Sequence, residues 1–116
     1  MKFVPALALS FGLMSANAFA DCTIGDMPTV PSGAESTLEQ MLAAKKEVDA
    51  YMATSNEYLE CLAKDAEAKA DGLEDDAAAE VKESTATMHN DEVARQEQLA
   101  ANFNQAIRDY KAANPQ

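Results

Sequence analysis

The sequence STLEQMLAAKKEVDAYMATSNEYLECLAKDAEAKADGL, residues 36–73, has the clearest structural pattern of the chain. Its apolar residues follow a heptad pattern: eight of eleven positions on one helix face are apolar, and Lys45, Ser55 and Lys69 interrupt them. This period is typical of a long amphipathic α-helix that packs against a partner. The apolar positions of this seam are Leu38, Met41, Val48, Met52, Leu59, Leu62, Ala66 and Leu73.

Local signals mark both ends of this first helix. The segment STLE at 36–39 fits a capping box, so we expect the helix to begin near Ser36. An earlier start stays open, because the segment SGAE at 32–35 fits the same motif more weakly. Gly72 lies where a left-handed residue would end the helix. We therefore expect a helix over about 36–71.

The residues after Gly72 predict a second helix over about 75–113. Acidic residues at 74–76 suit the positive end of a helix dipole, and no glycine or proline follows until Pro115. The predicted fold class is all-α, a long antiparallel helical hairpin over residues 36–113. Apolar residues are dense at the end of the second helix, where they would meet the start of the first and form a packed base: Leu99, Phe103, Ile107 and Tyr110.

Residues 21–35 precede the hairpin as a lead that contains proline and glycine. Pro28 and Pro31 fix their own backbone angles and push the preceding residue out of the helical region, so we expect an extended lead. The lead carries Cys22, and Cys61 in the first helix is the second cysteine of the chain.

Cys22 and Cys61 can pair within the chain if the lead runs back along the first helix. A helix that begins at Ser36 places Cys61 25 residues along it, which is about 38 Å. The 14 steps from Cys22 to Ser36 reach about 46 Å when extended. We expect this intramolecular disulfide, which would stabilise the fold by about 4 kcal/mol in the chain-entropy model. A disulfide across a dimer is the alternative.

Tyr51 and Tyr58 lie seven residues apart, on the helix face that the lead would cross. The apolar residues of the lead could cover them, in which case the tyrosine stripe is part of the packing: Ile24, Met27 and Val30. Alternatively, the stripe is exposed and binds a partner. Both interpretations stay open from the sequence.

The first twenty residues have the layout of an export signal. Lys2 supplies a positive charge, residues 3–14 are mostly apolar, and the AFA of residues 18–20 is a cleavage signature. We expect residues 1–20 to be a signal peptide, since the apolar run is shorter than the roughly 18–20 residues of a membrane span. An aspartate before Cys22 argues against a lipid anchor. The predicted location is the periplasm, or the exterior if the protein is secreted, where disulfides form.

Charge and composition exclude several classes of partner. The chain has 9 basic and 20 acidic residues and a formal net charge of −11. Binding to nucleic acid or to anionic lipid requires a basic surface, so we expect neither. The acids are concentrated in the distal arm of the hairpin, residues 64–83, which has three basic and eight acidic residues and can bury little.

The sequence contains no recognisable catalytic or cofactor-binding pattern. His89 is the only histidine, and the nearby Asp91 and Glu92 lack a second histidine or cysteine at the spacing that a metal site needs. Ser84, Thr85 and Thr87 have no partnered base. We therefore predict no catalytic residue, no metal, no cofactor and no enzymatic activity.

Three stretches resemble a group of small exported proteobacterial proteins. They are NEYLECL at 56–62, HN at 89–90 and EQLAANFNQAIRDYK at 97–111, in a chain that also has a predicted signal peptide and an early Cys-Pro lead. The group shares the YLxCL-like and FNxxIRxYK-like helical motifs. The resemblance implies an exported helical hairpin, and it implies no activity, because the group has no assigned one.

We expect a non-enzymatic exported protein with a structural or protein-interaction role, whose protein partner is unknown. The alternative is a small stress-related chaperone or a weak cation buffer that works through the acidic arm. A homodimer is also expected, because a second hairpin would cover apolar residues of the base and complete a four-helix bundle: Leu42, Leu99, Phe103 and Ile107.

Overall fold

The computed structural model describes residues 22–116. Within them the chain is 79% helical and has no strand. A short 3₁₀ turn at Gly33–Glu35 precedes two helices, α1 (Leu38–Ala70) and α2 (Asp75–Ala113). The two helices pack side by side as an antiparallel hairpin, which confirms the predicted fold class. The predicted signal peptide, residues 1–20 with cleavage after Ala20, lies outside the described residues.

The start of α1 lies later than the sequence pattern suggested. Thr37 is the N-cap: its Oγ1 accepts from the Gln40 backbone N–H at 3.2 Å, and its own N–H donates to Gln40 Oε1 at 2.8 Å. The capping box is therefore shifted by one residue from the predicted one. The reason is that the Ser36 hydroxyl donates to the Ser32 carbonyl and closes the 3₁₀ turn instead. This turn also corrects the expectation that the whole lead is extended.

The turn between the helices follows the predicted mechanism. Gly72 has a φ of +78°, a left-handed conformation that glycine adopts without the steric cost of a side chain. The Leu73 N–H donates to the Ala70 carbonyl at 3.2 Å, so the last turn of α1 is closed before α2 begins at Asp75. The chain reverses direction over four residues.

The core lies at the base of the hairpin and has three contributors. Val48 and Tyr51 of α1 and Leu99 of α2 form one buried cluster. The lead packs against this cluster as a third layer through Ile24, Met27 and Val30, which is the packing alternative for this face. Leu99 is only 1% exposed. The prediction that a second hairpin would cover Leu99 is therefore wrong, because the lead of the same chain already does so.

The lead is pressed onto α2 at Gly33. A Cβ atom built on Gly33 would lie 1.8 Å from the carbonyl oxygen of Ala106 and 2.9 Å from the backbone nitrogen of Tyr110. Only a residue without a side chain fits at this distance. This contact anchors the lead on α2 just before the chain turns into α1.

The predicted seam of α1 is buried unevenly. Met41, Val48 and Leu62 are buried. The half-buried seam residues are Met52, Leu59 and Ala66. The first seam residue, Leu38, is the first residue of α1 and is 56% exposed. Ser55 is the reverse case: it interrupts the apolar pattern, yet it is completely buried.

No helix among the described residues is both long enough and apolar enough to cross a membrane.

Candidate functional site

Cys22 and Cys61 form a disulfide within the chain, with their Cα atoms 5.7 Å apart. The lead reaches Cys61 by running back along α1, as the distance estimate required. The described residues contain no free cysteine. A disulfide of this kind is typical of proteins in oxidising compartments and is compatible with export.

The two tyrosines of the predicted stripe lie in different surroundings. Tyr51 is 7% exposed and belongs to the buried cluster beneath the lead. Its side chain is therefore used for packing. Tyr58, one heptad further along α1, is half-buried and keeps part of its surface in solvent.

A network of polar side chains crosses between the helices next to Tyr51, and we call it the inter-helix network. Glu92 of α2 is completely buried, and its Oε1 accepts from the Tyr51 hydroxyl at 2.8 Å and from Ser55 Oγ at 2.6 Å. Gln96 Nε2 donates to Ser55 Oγ at 2.7 Å and to Asn56 Oδ1 at 3.1 Å. The members are Tyr51, Ser55, Asn56, Glu92, Arg95 and Gln96.

Every polar side chain that is buried among the described residues has a hydrogen-bond partner. Arg95 Nη1 lies 3.4 Å from Glu92 Oε2 and supplies a positive charge beside the buried carboxylate. Burial, and then the hydrogen bond to Glu92, raise the pKa of Tyr51 to about 12. A closed network of this kind holds two helices in one register, because sliding either helix would strand a buried carboxylate.

Ser55 and Glu92 have the separation of a nucleophile and its base, yet they cannot act as one. Both side chains are completely buried, so a substrate has no path to the hydroxyl. The Ser55 hydroxyl donates to Glu92 and accepts from Gln96, which occupies both of its roles. The arrangement is suited to holding structure.

Sequence reasoning missed the burial of Glu92 and grouped it with the exposed His89. A signal was present, because Glu92, Leu99 and Ala106 are spaced by seven residues and all three are buried. Ser55 likewise lies seven residues after Val48 and seven before Leu62. When two facing helices each have a polar residue at a heptad position that is otherwise apolar and buried, the pattern predicts a buried hydrogen-bonded pair.

An open apolar groove lies at the base of the hairpin, and we call it the base groove; none of its lining residues belongs to the lead. The start of α1 and the end of α2 form its walls, and its volume is about 540 Å³. Leu38 and Leu42, at 56% and 53% exposed, are the two most exposed large apolar side chains of the described residues. The groove is lined by Leu38, Met41, Leu42, Lys45, Phe103, Ile107, Tyr110, Lys111, Asn114 and Gln116.

Charge is separated along the hairpin. The base, residues 36–52 and 99–113, has four acidic and four basic residues. The upper hairpin, residues 53–98, has thirteen acidic residues against four basic ones. Two lysines line the base groove, and none of the described residues that line it has a carboxylate side chain. The base groove therefore lies at one end of the hairpin, and the excess of negative charge lies on the rest of it.

His89 is exposed on the upper hairpin. Across residues 22–116, no group of three or more histidine, cysteine, aspartate or glutamate side chains is arranged to hold a metal ion.

Comparison with known proteins identifies no relative of this chain. No protein-family model matches it, and no curated protein or solved structure is significantly similar to it.

Proposed function

We propose that this chain is a non-enzymatic exported protein of the periplasm that acts through a protein–protein contact at its base groove. The observation that carries the proposal is the exposure of Leu38 and Leu42 beside an open apolar groove. Apolar grooves between helices are a common docking site for an apolar helix face. Exposed apolar surface that is clustered marks such a contact more often than scattered single residues do.

The contacts that make the base rigid support an interaction role. The lead covers one side of the hairpin, the disulfide holds the lead in place, and Gly33 fixes it on α2. The inter-helix network sets the register of the helices above the groove. A groove with rigid walls loses little conformational entropy when a partner binds.

Two further observations favour a non-enzymatic, exported protein. The one nucleophile–base pair among the described residues, Ser55 and Glu92, is sealed from solvent. The disulfide between Cys22 and Cys61 agrees with the signal peptide that the sequence predicts for residues 1–20.

The experiment is capture of partners from periplasmic extract on three immobilised proteins: the natural chain, L42Q and L73Q. Leu42 lines the base groove, whereas Leu73 is a comparably exposed leucine at the opposite end of the hairpin. We expect one protein to be retained by the natural chain and by L73Q and lost by L42Q. Equal retention by all three proteins would contradict the proposal, as would retention by none.

The second candidate is a chaperone or cation-buffering role for the acidic end. The excess of nine negative charges on the upper hairpin favours it. Titration calorimetry with calcium and with copper distinguishes this role from docking at the groove. Saturable binding that L42Q leaves unchanged would favour the second candidate.

A further inference from the structure

We infer that the partner at the base groove is a second copy of this chain, bound base to base, with the two acidic upper hairpins pointing in opposite directions. This inference rests on the proposed function, because it uses the same surface. It adds the identity of the occupant and its orientation.

The shape of the surface suits a symmetric contact. The Leu38 and Leu42 side chains protrude from one wall of the groove, and the recess lies beside them, between α1 and α2. In the dimer that we infer, a twofold axis would bring the leucines of each copy over the recess of the other. Such a contact is self-complementary and closes with two molecules. Pairing two helical hairpins in this way gives a four-helix bundle over the base.

The distribution of charge decides between the possible orientations. The helix ends that form the base have four acidic and four basic residues, and the lead packed on them adds Asp26 and Glu35, so each base carries a net charge of −2 and two bases repel each other far less than two upper hairpins do. Parallel pairing along the whole hairpin would place two upper hairpins, each with nine excess negative charges, side by side. Opposed pairing separates the two upper hairpins by more than the screening length of charges, which is roughly 8 Å at physiological ionic strength.

The burial of the apolar residues of α2 within the base agrees with this extent of contact. Leu99 is fully covered by the lead and contributes nothing to a dimer, whereas Phe103 and Ile107 are half-buried and line the open side. The predicted dimer face is thereby narrowed to the base groove. The contact is short, and we expect it to be reversible rather than obligate.

Sedimentation equilibrium of the purified exported protein tests the association. We expect a monomer–dimer equilibrium that L38Q and L42Q each weaken about tenfold and L73Q leaves within twofold. The two replaced groove leucines are exposed in the single chain, so their loss does not threaten folding, and unchanged thermal unfolding is the check. We expect only a slight tightening from low to high salt, because the charged ends are remote from the contact.

Small-angle X-ray scattering tests the orientation. The 39 residues of α2 span about 58 Å. With an overlap of about 25 Å at the base, an opposed dimer has a longest dimension of about 90 Å, whereas a parallel dimer keeps about 60 Å.

Each unfavourable result has a distinct meaning. A strict monomer at all concentrations, a dimer that L38Q and L42Q leave intact, or a dimer about 60 Å long would each overturn this inference. If the chain stays monomeric but captures another protein in a manner that L42Q abolishes, the proposed function stands with a different occupant. If L42Q changes neither measurement, both proposals fail.

Discussion

Replacing Gly33 by alanine tests how closely the lead is packed on α2. The new methyl group would lie 1.8 Å from the Ala106 carbonyl oxygen and 2.7 Å from its carbonyl carbon, where ordinary contacts are 3.4–4 Å. These are backbone atoms of a hydrogen-bonded helix, so they cannot rotate away as a side chain would. The lead must therefore move away from α2 by more than 1 Å before the methyl group and the Ala106 carbonyl oxygen are at an ordinary contact distance.

The expected cost is about 3 kcal/mol of unfolding free energy, at the upper end of typical overpacking. For a domain of this size, that loss lowers the melting temperature by roughly 12–24 °C. Gly33 does not have a left-handed backbone conformation, so the whole effect is steric. Thermal and urea unfolding followed by circular dichroism measure it, with the disulfide left oxidised.

Gly25→Ala is the matched control, because the lead contains both glycines. No atom lies within 4 Å of a Cβ built on Gly25, so alanine is tolerated there and can stabilise slightly by restricting the unfolded chain. If Gly33→Ala unfolds within 0.5 kcal/mol of the natural protein (the range of a typical surface change), the close contact with Ala106 is refuted.

Three further outcomes follow from the network and the disulfide. Tyr51→Phe removes one of the two hydroxyl donors to Glu92 Oε1 and should cost about 1–2 kcal/mol in urea unfolding; an unchanged stability would contradict the hydrogen bond. Folding raises the pKa of Tyr51 from 10.0 to about 12. The protonated hydroxyl therefore contributes about 2–3 kcal/mol to the free energy of unfolding below pH 10, and this contribution is lost as the pH rises towards 12. Tyr51→Phe should remove that step from the dependence of stability on pH, and a step that persists would assign it to another group. Replacing Cys22 and Cys61 together by alanine should cost about 4 kcal/mol, and the natural chain should run as a monomer in non-reducing electrophoresis; a reducible dimer would overturn the intramolecular pairing.

Features with a local physical cause could be predicted from the sequence. The turn at Gly72 needs a left-handed residue, and the spacing of Cys22 and Cys61 matches the reach of an extended lead, so both were available from short-range geometry. The start of α1 was misplaced by one capping residue. Ser36 and Thr37 can both cap a helix, and only the bond from Ser36 to the Ser32 carbonyl decides between them.

Features that depend on two distant segments could not be predicted in the same way. The spacing of Glu92 with Leu99 marks a buried face of α2, but its partners Tyr51 and Ser55 lie 41 and 37 residues away in the sequence, so which side chains meet Glu92 depends on the register of the two helices. The close approach at Gly33 is similar, since its reason lies at Ala106 on the other helix. The predicted dimer face wrongly included Leu99, because the sequence did not show that the lead alone suffices to cover this residue.

The disulfide determines how mechanical tension passes through the molecule. If the chain is pulled between Cys22 and the end of α2, the force crosses directly from Cys22 to Cys61, and the 39 steps between them carry no load. The disulfide thereby prevents about 130–140 Å of chain from extending when the molecule is pulled. That shielded loop contains Val48 and Tyr51, whereas Leu99 lies outside it. Under tension, α2 would therefore peel away first, and the lead would stay joined to α1.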